Sequence, residues 1–296
     1  MKFIRQFKQE FVDELNRLYA DQRSWWHNMV EDDKAFILIR KNRIHVLVNG
    51  GLLLQVGMDA QGVNCRTHTD FLSLPREADP YVRLSDKETP PIERVRGLIG
   101  LADHYQKVKN RVKIFTRQEK QVVQDIGTKY KEIIDLEVGL EGEQKPDTLR
   151  KGSQRVDMVV VSENGTLVFF EVKLFDNSEI RSDETPRVVG QLKEYEDRLN
   201  KYRAEIQNGY REQFKVYEEL KGRFFSQKRR QIGELRVYPT VRLVITGFDG
   251  SQQKYLLPII KKGINKGMGW KDKSNDLITV GNHQNIKMEV LLKGIS

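Results

Sequence analysis

Asp157, Glu171 and Lys173 are the residues whose types and spacing point most directly to chemistry. They lie in Arg155-Val-Asp157-Met-Val-Val-Val-Ser-Glu-Asn-Gly165, followed at once by Thr-Leu-Val-Phe-Phe-Glu171-Val172-Lys173-Leu. Two apolar runs flank a turn, and each run carries charge where a buried strand has little. A carboxylate buried in such a run needs a hydrogen bond, an opposite charge or a metal ion. An Asp and a Glu offer hard oxygen ligands to a divalent cation, and a neighbouring ammonium stabilises developing negative charge. Together they suit hydrolysis of a phosphodiester.

The turn decides whether the two acids can meet. In the second run Phe169, Glu171 and Lys173 share one strand face, and Val168, Phe170, Val172 and Leu174 share the other. Both faces are largely apolar, as in a central strand covered on both sides. A two-residue Asn164-Gly165 loop would set Asp157 against Val172 and send the carboxylates to opposite faces. A three-residue loop, Glu163-Asn164-Gly165, puts Gly in the left-handed position, pairs Ser162 with Thr166 and sets Asp157 opposite Glu171. The carboxyl-bearing Cβ atoms would then be about 5 Å apart, where like charges repel unless a cation lies between them. The three-residue register is therefore expected.

A third carboxylate is expected from the helix before the sheet. Glu119 stands three and four residues before Val122 and Val123, on their side of that helix. It is preferred over Glu132 and Glu137, although an ordinary first-turn acid would look the same. Downstream, Gln191 and Tyr195 are four apart in Gly190-Gln191-Leu-Lys-Glu-Tyr195, so a helix would project both to one place.

Asp157…Glu171-Val172-Lys173 resembles the PD-(D/E)XK nuclease superfamily, and Gln191-Leu-Lys-Glu-Tyr195 resembles the QxxxY motif of its RecB-like branch. Val156 stands where the motif's name has Pro. The resemblance covers about residues 115–250. It implies a restriction-endonuclease-like α/β core (helix, three strands, helix, strand). It also implies Mg²⁺ or Mn²⁺ held by Asp157, Glu171, the Val172 carbonyl and Glu119. Lys173 would position the attacking water or stabilise charge, and Gln191 and Tyr195 would orient the substrate phosphate or nearby side chains. The expected activity is cleavage of DNA, in restriction or antiphage defence. The alternatives are an RNA or tRNA nuclease using the same residues, and a non-catalytic nucleic-acid-binding module on this fold. Cutting both strands would call for two sites, hence a homodimer or larger oligomer.

The remaining sequence supplies the elements around that hairpin. Phe3, Phe7, Phe11, Leu15 and Leu18 predict an amphipathic helix within 3–30. Residues 35–57 read as a β-meander with a hairpin turn at Asn49-Gly-Gly, and more strand is expected at 63–74. Pro75, Pro80, Pro90 and Pro91 mark a connecting segment, and helices are expected over 92–110 and 117–131. Strands follow at 133–143, 155–162 and 166–174, and helices at 186–203 and 206–230. A strand begins at Val241, and 252–266 is helical with a break at Pro258. Gly263–Gly269 reads as a turn and Ile286–Leu292 as a last strand. Residues 1–112 form an accessory α+β domain in this reading, and residues 113–296 the nuclease domain.

Bulk properties agree with a polyanionic partner. The net charge is +9 over 296 residues, which favours nucleic acid over a membrane surface. The single cysteine, Cys65, excludes an internal disulfide and suits a reducing cytoplasm. There is no apolar run long enough to span a bilayer, and the charged N-terminus does not resemble a signal peptide. Cys65-Arg-Thr-His68 has zinc-like spacing but lacks a second pair.

Overall fold

The computed structural model describes residues 3–60, 62–72, 81–84, 97–140, 155–181, 185–231, 233–271 and 274–295. Among these residues it is a mixed α/β protein with two five-stranded sheets. The chain divides into two compact units: 4–131 with 209–231, and 1–3 with 132–208 and 232–296.

The first unit opens with α1 (Gln9–Ala20) and α2 (Trp25–Glu31). The long helix expected here is split because Ser24 caps a new one, its hydroxyl accepting from His27 N–H at 3.0 Å. Strands β1 (Ala35–Arg40), β2 (Arg43–Val48), β3 (Gly51–Asp59), β4 (Gly62–His68) and β5 (Tyr81–Leu84) form an antiparallel sheet in chain order, with α3 (Thr69–Leu72) before β5. Asn49 and Gly50 both have positive φ (50° and 77°), as a tight hairpin turn requires. Helices α4 (Gly97–Phe115) and α5 (Gln118–Lys129) follow. The proline segment (Pro75, Pro80, Pro90, Pro91) and residues 92–96 of the expected helix lie outside the described residues.

The expected boundary at 112/113 differs from this division, and α5 shows why. Its buried Gln124 donates to the carbonyls of Lys34 (2.6 Å) and Leu47 (3.0 Å) and accepts from Gly50 N–H at 2.6 Å. One amide thus satisfies three backbone groups of the β1–β3 meander, which ties α5 to the first unit.

The second unit is built on β6 (Ile133–Gly139), β7 (Arg155–Val161) and β8 (Thr166–Leu174). Helices α6 (Arg187–Lys201) and α7 (Arg203–Glu219) follow. The later part of α7 and α8 (Arg223–Lys228) belong to the first unit. Gly222, at φ 111°, separates α7 from α8 where one helix was expected. Strand β9 (Arg236–Thr246), α9 (Gly250–Tyr255), α10 (Leu257–Met268), β10 (Leu277–Val280) and α11 (Met288–Leu291) complete the chain.

The sheet order is β10-β9-β8-β7-β6, with β6, β7 and β8 antiparallel and β8, β9 and β10 parallel. β8 is central and almost wholly buried, as its two apolar faces require. Two expectations fail near the C-terminus. The last strand is Leu277–Val280, while Ile286 ends a 3₁₀ turn before α11, so the apolar residues of 286–292 follow a helical turn and not a strand. Gly263 and Gly267 lie within α10, and only Gly269 (φ 71°) ends it.

Candidate metal centre

The β7–β8 hairpin turns as the three-residue register requires. Gly165 has φ 84°, Ser162 N–H donates to the Thr166 carbonyl at 2.9 Å, and Thr166 N–H donates to Ser162 Oγ at 3.0 Å. The ladder runs from Val161↔Leu167 to Met158↔Phe170, so the next position sets Asp157 opposite Glu171. Residues directly opposite project to the same face. Asp157 Oδ2 accepts from Val172 N–H at 2.8 Å. A strand residue's N–H and C=O point to the same edge, so the Val172 carbonyl also faces the Asp157 side.

Glu171 is only 2% exposed. Its Oε1 accepts from Lys173 Nζ at 2.8 Å and from Gln191 Nε2 at 2.9 Å, while Oε2 is buried and accepts no hydrogen bond. Gln191 also donates to the Tyr195 hydroxyl at 2.8 Å, and that hydroxyl donates to the Arg155 carbonyl at 2.8 Å. The four-residue spacing on α6 therefore delivers both side chains to one chain of hydrogen bonds that runs from Glu171 to the backbone of β7.

Charge is crowded here. Burial, and then the Glu171 carboxylate, push Asp157 well above the ordinary carboxylate range. The Val172 N–H and Lys173 work the other way without cancelling this, and Glu137 adds to the rise. Burial, followed by Glu171, also raises the Tyr195 phenol.

The third carboxylate expected from the sequence is Glu119. Glu119 is half-buried on α5, in the first unit, and among the described residues no three His, Cys, Asp or Glu side chains gather into a cation-sized cluster. Of the competing acids, Glu132 precedes β6 and its carbonyl accepts from Val161 N–H at 2.9 Å. Glu137 lies between the pairs Leu136↔Met158 and Val138↔Val156, as Asp157 does, and so stands beside it. Glu137 has φ 53°, a left-handed conformation that is costly for a non-glycine residue in a strand. Arg155 Nη1 lies 3.9 Å from its Oε2.

Sequence reasoning missed Glu179. It sits in the 3₁₀ turn Ser178–Ile180, and its Oε2 lies 2.7 Å from Lys173 Nζ. The ammonium is thus held between two carboxylates. The contact reaches back across a turn, so neither strand nor helix periodicity could have found it.

The donor set suits a hard divalent ion: two opposed carboxylates, one with an oxygen that accepts no hydrogen bond, and a carbonyl at the same edge. Mg²⁺ takes one or two carboxylates and keeps several waters, so a third acid is not required. Cys65 is buried in β4 and His68 Nδ1 lies 3.5 Å from Asp70, with no zinc-type cluster among the described residues. No helix among the described residues is long and apolar enough to cross a membrane. Comparison with family models, with curated proteins and with solved structures finds no match.

Proposed function

We propose that this chain is a divalent-metal-dependent nuclease that hydrolyses phosphodiester bonds in DNA, and that its second unit is a restriction-endonuclease-like core of the PD-(D/E)XK type. The observation that carries the reading is the opposition of Asp157 and Glu171 on adjacent strands, with Lys173 Nζ 2.8 Å from Glu171. A purely structural hairpin gains nothing from setting two carboxylates face to face in a buried sheet, since their repulsion and desolvation both cost stability.

Asp157, Glu171 and the Val172 carbonyl would hold Mg²⁺ or Mn²⁺. A bound ion of this kind polarises a phosphoryl oxygen and lowers the pKa of water. Lys173 stabilises negative charge on the phosphoryl group, and Glu179 keeps its ammonium in place. Gln191 fixes the orientation of Glu171, and Tyr195 anchors Gln191 to the β7 backbone. Within the second unit, the order β6, β7, β8, α6, β9 supports the core assignment, and the net charge of +9 supports the choice of a polyanionic substrate. A non-catalytic nucleic-acid-binding module is the second reading, favoured by Lys173 Nζ lying between Glu171 and Glu179, where it neutralises buried charge by itself.

Incubation with plasmid, single-stranded DNA and RNA, each with Mg²⁺, Mn²⁺ or EDTA, separates these readings. Metal-dependent loss of DNA, abolished in Lys173→Ala, is the expected result. Cleavage of RNA alone would move the substrate class. Binding without cutting under every metal would leave the binding module.

A further inference from the structure

From Gly250 to Lys271 the chain carries five lysines, Lys254, Lys261, Lys262, Lys266 and Lys271, and no Asp or Glu, although the whole chain has 42 acids. This stretch forms α9 and α10. Leu257, Ile264 and Asn265 form the buried side of α10. Ile259, Lys262 and Lys266, at spacings of three and four, lie within one turn-to-turn stripe on the other side, where all three are exposed. On α9, Lys254 Nζ lies 5.0 Å from the centre of the Tyr255 ring. Tyr255, Leu256 and Ile259 are 61%, 47% and 68% exposed.

A flank of α10 formed by Gly263 and Gly267 packs closely on the helix that serves the candidate site. A Cβ at Gly267 would sit 2.9 Å from Val189, and one at Gly263 would sit 3.5 Å from Pro186. Val189 is two residues before Gln191 on α6. The basic face is therefore carried on a helix fastened to the one that holds Glu171 in place.

We propose that the outward face of α9 and α10 docks the backbone of the nucleic acid, with Lys254, Lys262 and Lys266 on phosphates and Tyr255 and Ile259 against sugars and bases. Positive charge interleaved with an exposed aromatic ring is the combination that tracks single- or double-stranded nucleic acid. The choice of partner rests on the nuclease reading above.

Fluorescence anisotropy with a labelled duplex and single strand, in EDTA and over a series of salt concentrations, tests this on the full chain. Lys262→Glu/Lys266→Glu should weaken binding about tenfold at moderate salt and reduce the slope of log affinity against log salt by about 2. Lys8→Glu/Lys41→Glu, the same change in charge at exposed positions of the other unit, should leave binding within about twofold. If the α10 variant melts early, Lys262→Gln/Lys266→Gln should still reduce the slope. Unchanged binding in the α10 variants, an equal loss in the control, or binding by the wild type to phosphatidylserine vesicles but not to nucleic acid would each overturn the proposal. Cleavage is read separately in Mn²⁺. A chain that never cuts but loses its salt slope in the α10 variant would refute the hydrolase and retain the docking face.

Discussion

Lys173 is the residue on which the candidate site turns, because it is buried between two acids and neutralises a third group's neighbourhood at the same time. Glu171 and Glu179 both contact its ammonium. Removing it strands a carboxylate that is 2% exposed, and breaking a buried pair in this way costs about 3–5 kcal/mol. Lys173→Ala should therefore abolish cleavage by at least about 100-fold and also lower Tm, measured by plasmid nicking and thermal denaturation. Asp157 predicts the opposite sign of stability change. Its folded pKa is raised by burial and by Glu171, so the folded state binds the proton more tightly than the unfolded state. Stability from this group is then greatest below the unfolded pKa and falls as pH rises toward the folded one. Asp157→Asn removes that loss. In EDTA it should melt higher than wild type at neutral pH, with the advantage shrinking as pH is lowered to the unfolded carboxylate range. Mn²⁺ should raise the Tm of the wild type and not that of the variant. A wild type whose Tm ignores Mn²⁺, Mg²⁺ and pH would refute a cation between these acids.

At the scale of elements, the hairpin loop is what brings the acids together. Strand side chains alternate, so one residue more or fewer in the loop would send Asp157 and Glu171 to opposite faces. Gly165 holds the left-handed corner at φ 84°. Gly165→Ala should cost about 1–2 kcal/mol and weaken the Mn²⁺-dependent rise in Tm, because the loop and the register resist the change together. The register was legible in the sequence because only one loop length kept the two charges on one face. The acid opposite Asp157 across β6 and β7 was not. The helical position of Glu119 said which side of α5 it occupies, but not which sheet that side would cover. Glu137 stands beside Asp157 through strand pairing and an unusual φ, neither of which leaves a pattern in composition or periodicity. Apolar residues at 286–292 matched a strand as well as a helical turn, as short apolar runs do.

At the scale of the whole molecule, α5 decides the division of the chain. Gln124 bonds three backbone groups of β1–β3, so its loss leaves buried carbonyls and an N–H unsatisfied. Gln124→Ala should destabilise the unit of 4–131 and 209–231 by about 2–4 kcal/mol. Hydrogen exchange should show protection lost across β1–β3 while the β7–β9 amides keep theirs. Equal loss in both sheets would refute separate units. The first unit also contains a cleft of about 940 Å³ lined by residues that include His27, Glu31, Asp32, His104 and Arg223. There, burial alone would raise Asp32, but hydrogen bonds from Lys109, the Lys34 N–H and Tyr105 outweigh it and hold the carboxyl low. Stability from Asp32 is accordingly present above the unfolded carboxylate pKa and lost as pH falls through the lowered folded value.

The sequence by itself determined the local facts: which runs are strands, where glycine must turn the chain, and that two acids and a lysine share a hairpin. These follow from steric preferences and side-chain alternation over a few residues, which nearest neighbours largely decide. Only the tertiary structure decided which acid stands beside Asp157, what restrains Lys173, and to which sheet α5 belongs. Those depend on contacts between segments far apart in the chain, where burial and hydrogen-bond satisfaction select one arrangement among several that local pattern allows equally well.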